Sequence, residues 1–103
     1  MAISQYAVIG LGRFGTSVAR RLHEAGQEIL GIDINEERVE DAEPYVTHAI
    51  VADTTEEKAL ISIGIGNFDC VIVAIGNDMQ SSILTVSLLK ELGIKKSNCQ
   101  GIR

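Results

Sequence analysis

A glycine-rich turn placed directly after a short apolar run constrains this chain more than any other feature. Residues 10–15 read Gly-Leu-Gly-Arg-Phe-Gly, and they follow the apolar residues 6–9. An acid, Asp33, closes the next apolar run. A glycine turn between a strand and a helix, with an acid about 20 residues further on, is the pattern of a dinucleotide-binding βαβ unit. The pattern predicts such a unit at the start of this chain.

Each glycine of the turn has a separate physical role in that pattern. Gly10 allows the tight turn out of the strand, and Gly12 lets backbone N–H groups approach a pyrophosphate. Gly15 lets the helix pack closely on the sheet. We therefore expect phosphate to bind at the N-terminus of the first helix.

The apolar runs of the whole chain predict a parallel sheet. Four β-rich runs, each followed by a segment with helical character, lie at Gln5 to Ile9, Glu28 to Ile32, His48 to Ala52 and Cys70 to Ile75. Residues 71–75 are wholly apolar, which is typical of strands that are covered on both faces. The expected fold class is α/β, a Rossmann-like doubly wound parallel sheet that stops after the fourth βα unit.

Four helices are predicted between and after these strands. The first spans Arg13 to Ala25, and its inner face is expected to carry Phe14, Val18, Leu22 and Ala25, with Gly26 as C-cap. The second begins after Asn35, a natural N-cap, and stops before Pro44. The third is expected to open with a capping box of Thr54 and Glu57 and to end near Gly64.

The fourth predicted helix, from about Asp78 to Leu92, is apolar almost all round. Its apolar positions are Met79, Ile83, Leu84, Val86, Leu88, Leu89 and Leu92. One sheet face cannot cover so wide a surface, so this helix is either well buried in a larger parent domain or part of a subunit interface.

Composition excludes several classes of function. The chain has 103 residues, enough for one domain with one binding site, and a formal net charge of -5, which does not suit a nucleic-acid surface. It lacks an apolar stretch of the roughly 18 residues that span a membrane and the layout of a signal peptide, so a cytosolic address is expected. Cys70 and Cys99 have no metal-ligand spacing, and Cys70 is expected to be a buried thiol.

Polar residues at the ends of four strands converge on one predicted crevice. Asp33 is placed to accept hydrogen bonds from both ribose hydroxyls of an adenosine and to repel a 2′-phosphate, although it could simply start a turn. Asn35 suits helix capping as well as ligand contact. Asp53 could accept from an adenine amino group or act in a turn, and Gly76 suits close backbone approach or ordinary turn chemistry.

Arg13 is the most informative residue of the turn after the glycines. A guanidinium there can clamp a phosphate, or reach one held by a neighbouring subunit; alternatively it is a solvated side chain on the first helical turn. Because a cation is unfavourable at a helix N-terminus, a bound anion would offset its cost.

No catalytic set accompanies this predicted site. A hydride-transfer enzyme needs a proton donor facing the nicotinamide. His23 falls on the outer part of the first helix, while His48 and Cys70 open strands at the end away from the ligand. A phosphate-binding turn with the Gly-Lys-Ser/Thr ending is also lacking, so nucleotide hydrolysis is not expected.

Four segments together resemble one family. Residues 8–15, 31–35, 52–56 and 73–77 resemble, in order, the RCK or KTN (TrkA-N) domain, and in particular the cytosolic regulatory subunits of Ktr-type bacterial potassium uptake systems. The resemblance runs from Gln5 to Ile94.

The resemblance implies a regulatory role without catalysis. Family members bind ATP, ADP or NAD(H), and the nucleotide changes the shape of a subunit assembly that gates a membrane potassium transporter or channel. The implied nucleotide contacts are Arg13, Asp33, Ile34, Asn35, Asp53, Thr54, Ile75, Gly76 and Asn77, beside the turn residues Gly10, Gly12, Phe14 and Gly15. Arg13 would be the residue that contacts the nucleotide phosphate. The resemblance also implies a location at the inner face of the cell membrane.

The chain departs from the family after Ile94. Residues 1–94 are expected to form the nucleotide-binding domain, and residues 95–103 a poorly ordered tail where the family has a fifth strand. We expect a dimer from this chain and an octameric ring from a full-length parent. Two other functions fit the glycine turn: the NAD-binding half of an NAD-dependent oxidoreductase, and a NAD-binding fold used only for subunit contacts.

Overall fold

A computed structural model of the chain describes residues 4–75 and 79–91, which form strands and helices in regular alternation. The strands are β1 (Gln5–Ile9), β2 (Glu28–Asp33), β3 (His48–Val51) and β4 (Cys70–Val73), and the helices are α1 (Arg13–Glu24), α2 (Glu36–Ala42), α3 (Glu57–Ile63) and α4 (Met79–Glu91). Two short 3-10 helices, Glu43–Tyr45 and Ile65–Asn67, follow α2 and α3. The predicted order of strands and helices is confirmed.

The four strands form one parallel sheet in the order β3-β2-β1-β4. In its centre Val8 lies opposite Gly31 of β2 and Ile72 of β4. The chain builds outward from β1 to β3 and then crosses to the other side of β1 to add β4. The order therefore reverses between β1 and β4, which is the switch point of a doubly wound fold.

Helices cover both faces of the sheet. Alternate residues of β1 point to opposite faces, so they pack in two different buried clusters. Ala7 and Ile9 belong to a buried cluster that includes Leu60 of α3 and receives partly buried side chains from α4. Val8 belongs to the other cluster, with Ala19 of α1 and Val39 of α2. This two-faced burial explains the apolar strand sequences and confirms the predicted fold class.

The inner face of α1 differs from the predicted one. The buried residues of this helix are Gly15 and Ala19, Val18 and Leu22 are half-buried, and Phe14 and Ala25 are exposed. Small residues on the inner face let α1 approach the sheet closely, which turns Phe14 outward. The prediction that Phe14 and Ala25 belong to the apolar face was wrong.

The predicted helix ends were partly right. The Asn35 side chain accepts a hydrogen bond from the Glu37 amide and so caps α2, and Gly64 ends α3 in the left-handed conformation, both as predicted. The capping box of Thr54 and Glu57 was wrong, because α3 begins at Glu57 with Glu56 as N-cap and no side-chain cap.

The described part of α4 is only lightly covered. Thr85 is fully buried, and Val86 and Leu88 pack against the core, while Ile83 and Leu84 are exposed. The side chains of Met79 and Leu89 lie outside the described residues, as do Asp78 and residues 92–103. No helix in residues 4–75 and 79–91 has the length and apolar character that crossing a membrane would need.

Candidate functional site

A pocket of about 580 Å³ lies where the strands end, at the carboxyl edge of the sheet. It is lined by Ile9, Gly10, Gly12, Arg13, Phe14, Ile32, Asp33, Ile34, Arg38, Ala52, Asp53, Thr54, Thr55, Ala74 and Ile75. These residues come from the ends of all four strands and from the starts of α1 and α2. This is the position at which open α/β sheets bind ligands.

The glycine turn forms one wall of the pocket and packs closely against the ends of the neighbouring strands β2 and β4. Gly10 has a φ of 101°, and its amide donates to the Ile32 carbonyl at 2.7 Å. A Cβ on Gly10 would lie 2.6 Å from the Ala74 carbonyl oxygen, and one on Gly15 would lie 1.7 Å from the Gly10 carbonyl oxygen. Glycine is therefore required at both positions by the fold itself.

The turn leads into the N-terminus of α1, which carries no acid in its first turn and no side-chain cap. The Thr16 amide donates to the Gly12 carbonyl at 2.9 Å, which closes the first helical turn. The amides that precede Thr16 have no carbonyl partner within the helix. Gly12 and Arg13 both line the pocket, so free amides and a guanidinium are available to an anion there.

Asp33 holds the two sides of this wall together. It is 7% exposed; its Oδ2 accepts the Leu11 amide at 2.7 Å, and its Oδ1 accepts the Asn35 amide at 2.8 Å. The carboxylate thus links the glycine turn to the start of α2, which is more than the simple turn role considered for it. Because a carboxylate offers about four acceptor positions, it can still accept from a ligand hydroxyl.

Arg38 is a pocket residue that the sequence reasoning missed. Its Nη1 lies 3.9 Å from Asp33 Oδ2 and 3.8 Å from the point where a Cβ on Gly12 would stand. The side chain is 51% exposed. The signal that would have found it is its isolation, since it is the single base in the otherwise acidic α2.

The loop after β3 supplies the opposite wall. Asp53 Oδ1 accepts from both the amide and the hydroxyl of Thr55, so the turn role considered for Asp53 is present. The Thr54 hydroxyl is buried and lies 3.1 Å from the Thr85 hydroxyl, which also donates to the Thr54 carbonyl at 3.3 Å. This hydroxyl pair joins the pocket wall to α4.

The structure brings together most of the candidate binding residues that the sequence indicated. Phe14 and Ile34 are exposed side chains that line the pocket, and Ile75 lines it from the end of β4. Asn35 and Gly15 lie beside the lining, the first engaged as a helix cap and the second packed inside the turn. Gly76 and Asn77 lie outside the described residues.

The side chains considered for catalysis lie away from the pocket. His23 is exposed on α1, and His48 is exposed at the start of β3. Cys70 is buried at the start of β4 with a free thiol, as predicted. Within residues 4–75 and 79–91, no group of three or more His, Cys, Asp and Glu side chains could hold a metal ion.

Solved structures with the same fold include nucleotide-binding proteins. The chain is similar to the NAD(P)-binding domain of an exopolyphosphatase-related protein from Archaeoglobus fulgidus, with 27% identity and a TM-score of 0.74 over 97% of this chain and 72% of that one. A putative NAD-dependent epimerase/dehydratase from Bacillus halodurans, at 20% identity and a TM-score of 0.70 over 96% of this chain and 50% of that one, shares the fold.

Curated relatives are more similar in sequence. The Ktr system potassium uptake proteins A and C of Bacillus subtilis are 58% and 49% identical over 87% of this chain. The chain spans about 40% of the length of these relatives. The sequence profile of the TrkA-N domain matches residues 6–99. This chain belongs to the TrkA-N domain family.

Proposed function

We propose that this domain binds an adenine nucleotide without chemically changing it, and that the bound nucleotide regulates a membrane potassium transporter. One observation carries the binding proposal: Asp33 Oδ2 accepts the Leu11 amide at 2.7 Å. That hydrogen bond joins the acid expected to bind ribose to the turn expected to bind phosphate. A nucleotide likewise carries its ribose and its 5′-phosphates next to each other.

In this binding mode the phosphates rest on the amides of the glycine turn and the N-terminus of α1. Arg13, exposed at that point, adds a charge-assisted contact to the terminal phosphate. The ribose hydroxyls donate to Asp33, and the adenine lies between the apolar side chain of Ile34 and the loop after β3. ATP, ADP and NAD(H) share the adenosine ribose that Asp33 would bind.

The charges lining the pocket support binding without catalysis. The ionisable side chains of the described lining are two arginines and two aspartates, Arg13, Arg38, Asp33 and Asp53. Hydride transfer needs a proton donor such as His, Lys or Tyr beside the substrate, and none of these types is in that described lining. A nucleotide bound there would be a ligand rather than a reactant.

The link to potassium transport rests on the relatives. Two relatives, at 58% and 49% identity, are called Ktr system potassium uptake proteins. In our proposal the domain acts at the inner face of the membrane, where a nucleotide with one more phosphate favours one of two subunit arrangements. A ligand can shift such an equilibrium only through contacts that differ between the two states. The phosphate contact of Arg13 would supply that difference.

Self-association is the second part of this proposal. Ile83 and Leu84 of α4 are 61% and 50% exposed, although both are large apolar side chains. A second copy of the chain would cover them in a dimer, and a longer parent protein would extend the dimer to an octameric ring.

Isothermal titration calorimetry of ATP, ADP, NADH and NADPH tests the proposal. We expect the wild type to bind ATP and ADP with different affinities, and Arg13→Ala to lose that difference while it still binds ADP. Arg21→Ala is the matched control, because Arg21 is exposed on α1 and is not part of the pocket lining. Binding of none of the four nucleotides would contradict the proposal. Hydride exchange between bound NADH and a simple carbonyl substrate would favour the oxidoreductase function instead.

A further inference from the structure

Arg38 stands beside the one acid that is expected to select the ribose. Asp33 Oδ2 lies 3.9 Å from Arg38 Nη1, and the aspartate side chain is 6% exposed whereas the arginine side chain is 51% exposed. The acid is therefore fixed in the pocket wall, and the base lies over it on the solvent side. Any group added to the ribose edge at Asp33 would meet the guanidinium as well as the carboxylate.

The carboxylate is already held by other donors. Its Oδ2 accepts the Leu11 amide at 2.7 Å and its Oδ1 accepts the Asn35 amide at 2.8 Å, both shorter than the 3.9 Å separation from Arg38. Arg38 is therefore not needed to satisfy Asp33. Apart from the contact with Asp33, the described residues offer this half-exposed guanidinium no charged partner, so most of its N–H donors can bind a ligand anion.

The two pocket arginines belong to different helices. Arg38 extends from α2 and reaches the backbone of Gly12, whose Cβ position is 3.8 Å from Nη1. Arg13 lies on the first turn of α1 instead. The two arginines thus approach the pocket from different helices, with Arg38 on the side of Asp33.

We propose that Arg38 is a specificity-determining residue of this pocket, and that it lets the ribose subsite tolerate a 2′-phosphate beside Asp33. This inference rests on the proposed nucleotide binding and revises one part of the sequence reasoning. Asp33 alone would repel a 2′-phosphate, which predicts strong preference for NAD(H) over NADP(H). With Arg38 beside it, a 2′-phosphate gains a bidentate partner that offsets the repulsion. The preference for NAD(H) over NADP(H) is therefore weaker than Asp33 alone would impose.

The test uses a ligand pair that differs in the 2′-phosphate alone, AMP and adenosine 2′,5′-bisphosphate, titrated by calorimetry into the full chain. We expect Arg38→Ala to weaken the bisphosphate about tenfold relative to AMP, which is the usual effect of one charge-assisted phosphate contact. Arg38→Lys should retain part of the bisphosphate affinity, because the charge remains and the planar fork is lost. Arg21→Ala, at an exposed position outside the pocket lining, should leave the ratio of the two dissociation constants unchanged.

The outcomes separate this inference from the proposed function. Failure of the wild type to bind AMP, ADP or NADH would overturn the nucleotide site as a whole. Wild-type binding of AMP with an unchanged bisphosphate-to-AMP ratio in Arg38→Ala would overturn the role of Arg38 and leave the site in place. Equal loss of both ligands in Arg38→Ala would also overturn it, because Arg38 would then contact the 5′-phosphate or the adenine. Circular dichroism of each variant verifies that its fold is retained.

Discussion

Alanine substitutions at two glycines of one turn should affect different properties: Gly15→Ala should lower the stability of the fold, and Gly12→Ala should weaken nucleotide binding. A Cβ on Gly15 would lie 1.7 Å from the Gly10 carbonyl oxygen, half of the 3.4 Å at which ordinary contacts begin. That carbonyl belongs to a turn fixed by the Gly10 amide, which donates to Ile32 at 2.7 Å. A Cβ on Gly12 would instead meet no atom closer than Arg38 Nη1 at 3.8 Å, and Gly12 has an ordinary φ of -75°.

These distances set the expected magnitudes. Overpacking costs about 1–3 kcal/mol where side chains can give way, and a backbone carbonyl cannot, so Gly15→Ala should lower the unfolding free energy by about 3 kcal/mol or more. In a domain of this size that corresponds to about 12–24 °C in Tm. Gly12→Ala replaces a favourable N-cap residue by a poor one, at a cost of about 1 kcal/mol of unfolding free energy. It should nevertheless weaken ADP binding at least about tenfold, because the methyl group occupies space that the pyrophosphate needs.

Thermal unfolding followed by circular dichroism, without ligand, measures the first effect, and calorimetric titration of ADP measures the second. Each variant serves as the control for the other. The reasoning is refuted if Gly15→Ala unfolds within a few degrees of Gly12→Ala. It is equally refuted if Gly12→Ala binds ADP as tightly as the wild type.

Three further predictions follow from contacts in and near the pocket. Asp33→Asn keeps the side-chain shape but places an NH2 group against one of two backbone amides. We therefore expect ADP affinity to fall, and the unfolding free energy to fall by about 1–3 kcal/mol, which lowers Tm; an unchanged Tm would contradict this. Thr85→Val should lower the unfolding free energy by about 1–2 kcal/mol, because it leaves the buried Thr54 hydroxyl without its partner. In denaturant unfolding, the double variant with Thr54→Val should lose less unfolding free energy than the sum of the two single variants. Light scattering at tens of micromolar should detect a dimer that Leu84→Glu weakens; a monomeric wild type would refute the dimer.

The fold could be predicted largely from local patterns. The apolar runs gave β1 with its observed bounds, and Asn35 and Gly64 marked helix ends that the structure confirms. These features depend on residues close together in the sequence. The doubly wound parallel fold class also followed, since a glycine turn after the first strand and near-continuous apolar runs are typical of it.

The errors arose where a distant contact competes with a local one. Thr54 has the spacing of a capping box, but its hydroxyl pairs with Thr85, 31 residues further along the chain. Phe14 has helical spacing for the inner face, but close packing at Gly15 leaves the larger side chain outside. Arg38 was missed because its helix has the pattern of a polar surface, and only the turn at Asp33 brings it over the pocket.

The arginines of the pocket wall also bear on how quickly an anion arrives. The chain carries a formal net charge of -5, so a polyanionic nucleotide is repelled at long range. Arg13 and Arg38 line the pocket, so their attraction for the nucleotide outweighs this repulsion only close to the pocket. Ions at about 0.15 M screen charges separated by more than about 8 Å, which suppresses the repulsion before it weakens the contacts inside the pocket. Nucleotide association should therefore be faster at moderate than at very low ionic strength, the opposite of a site in a basic protein.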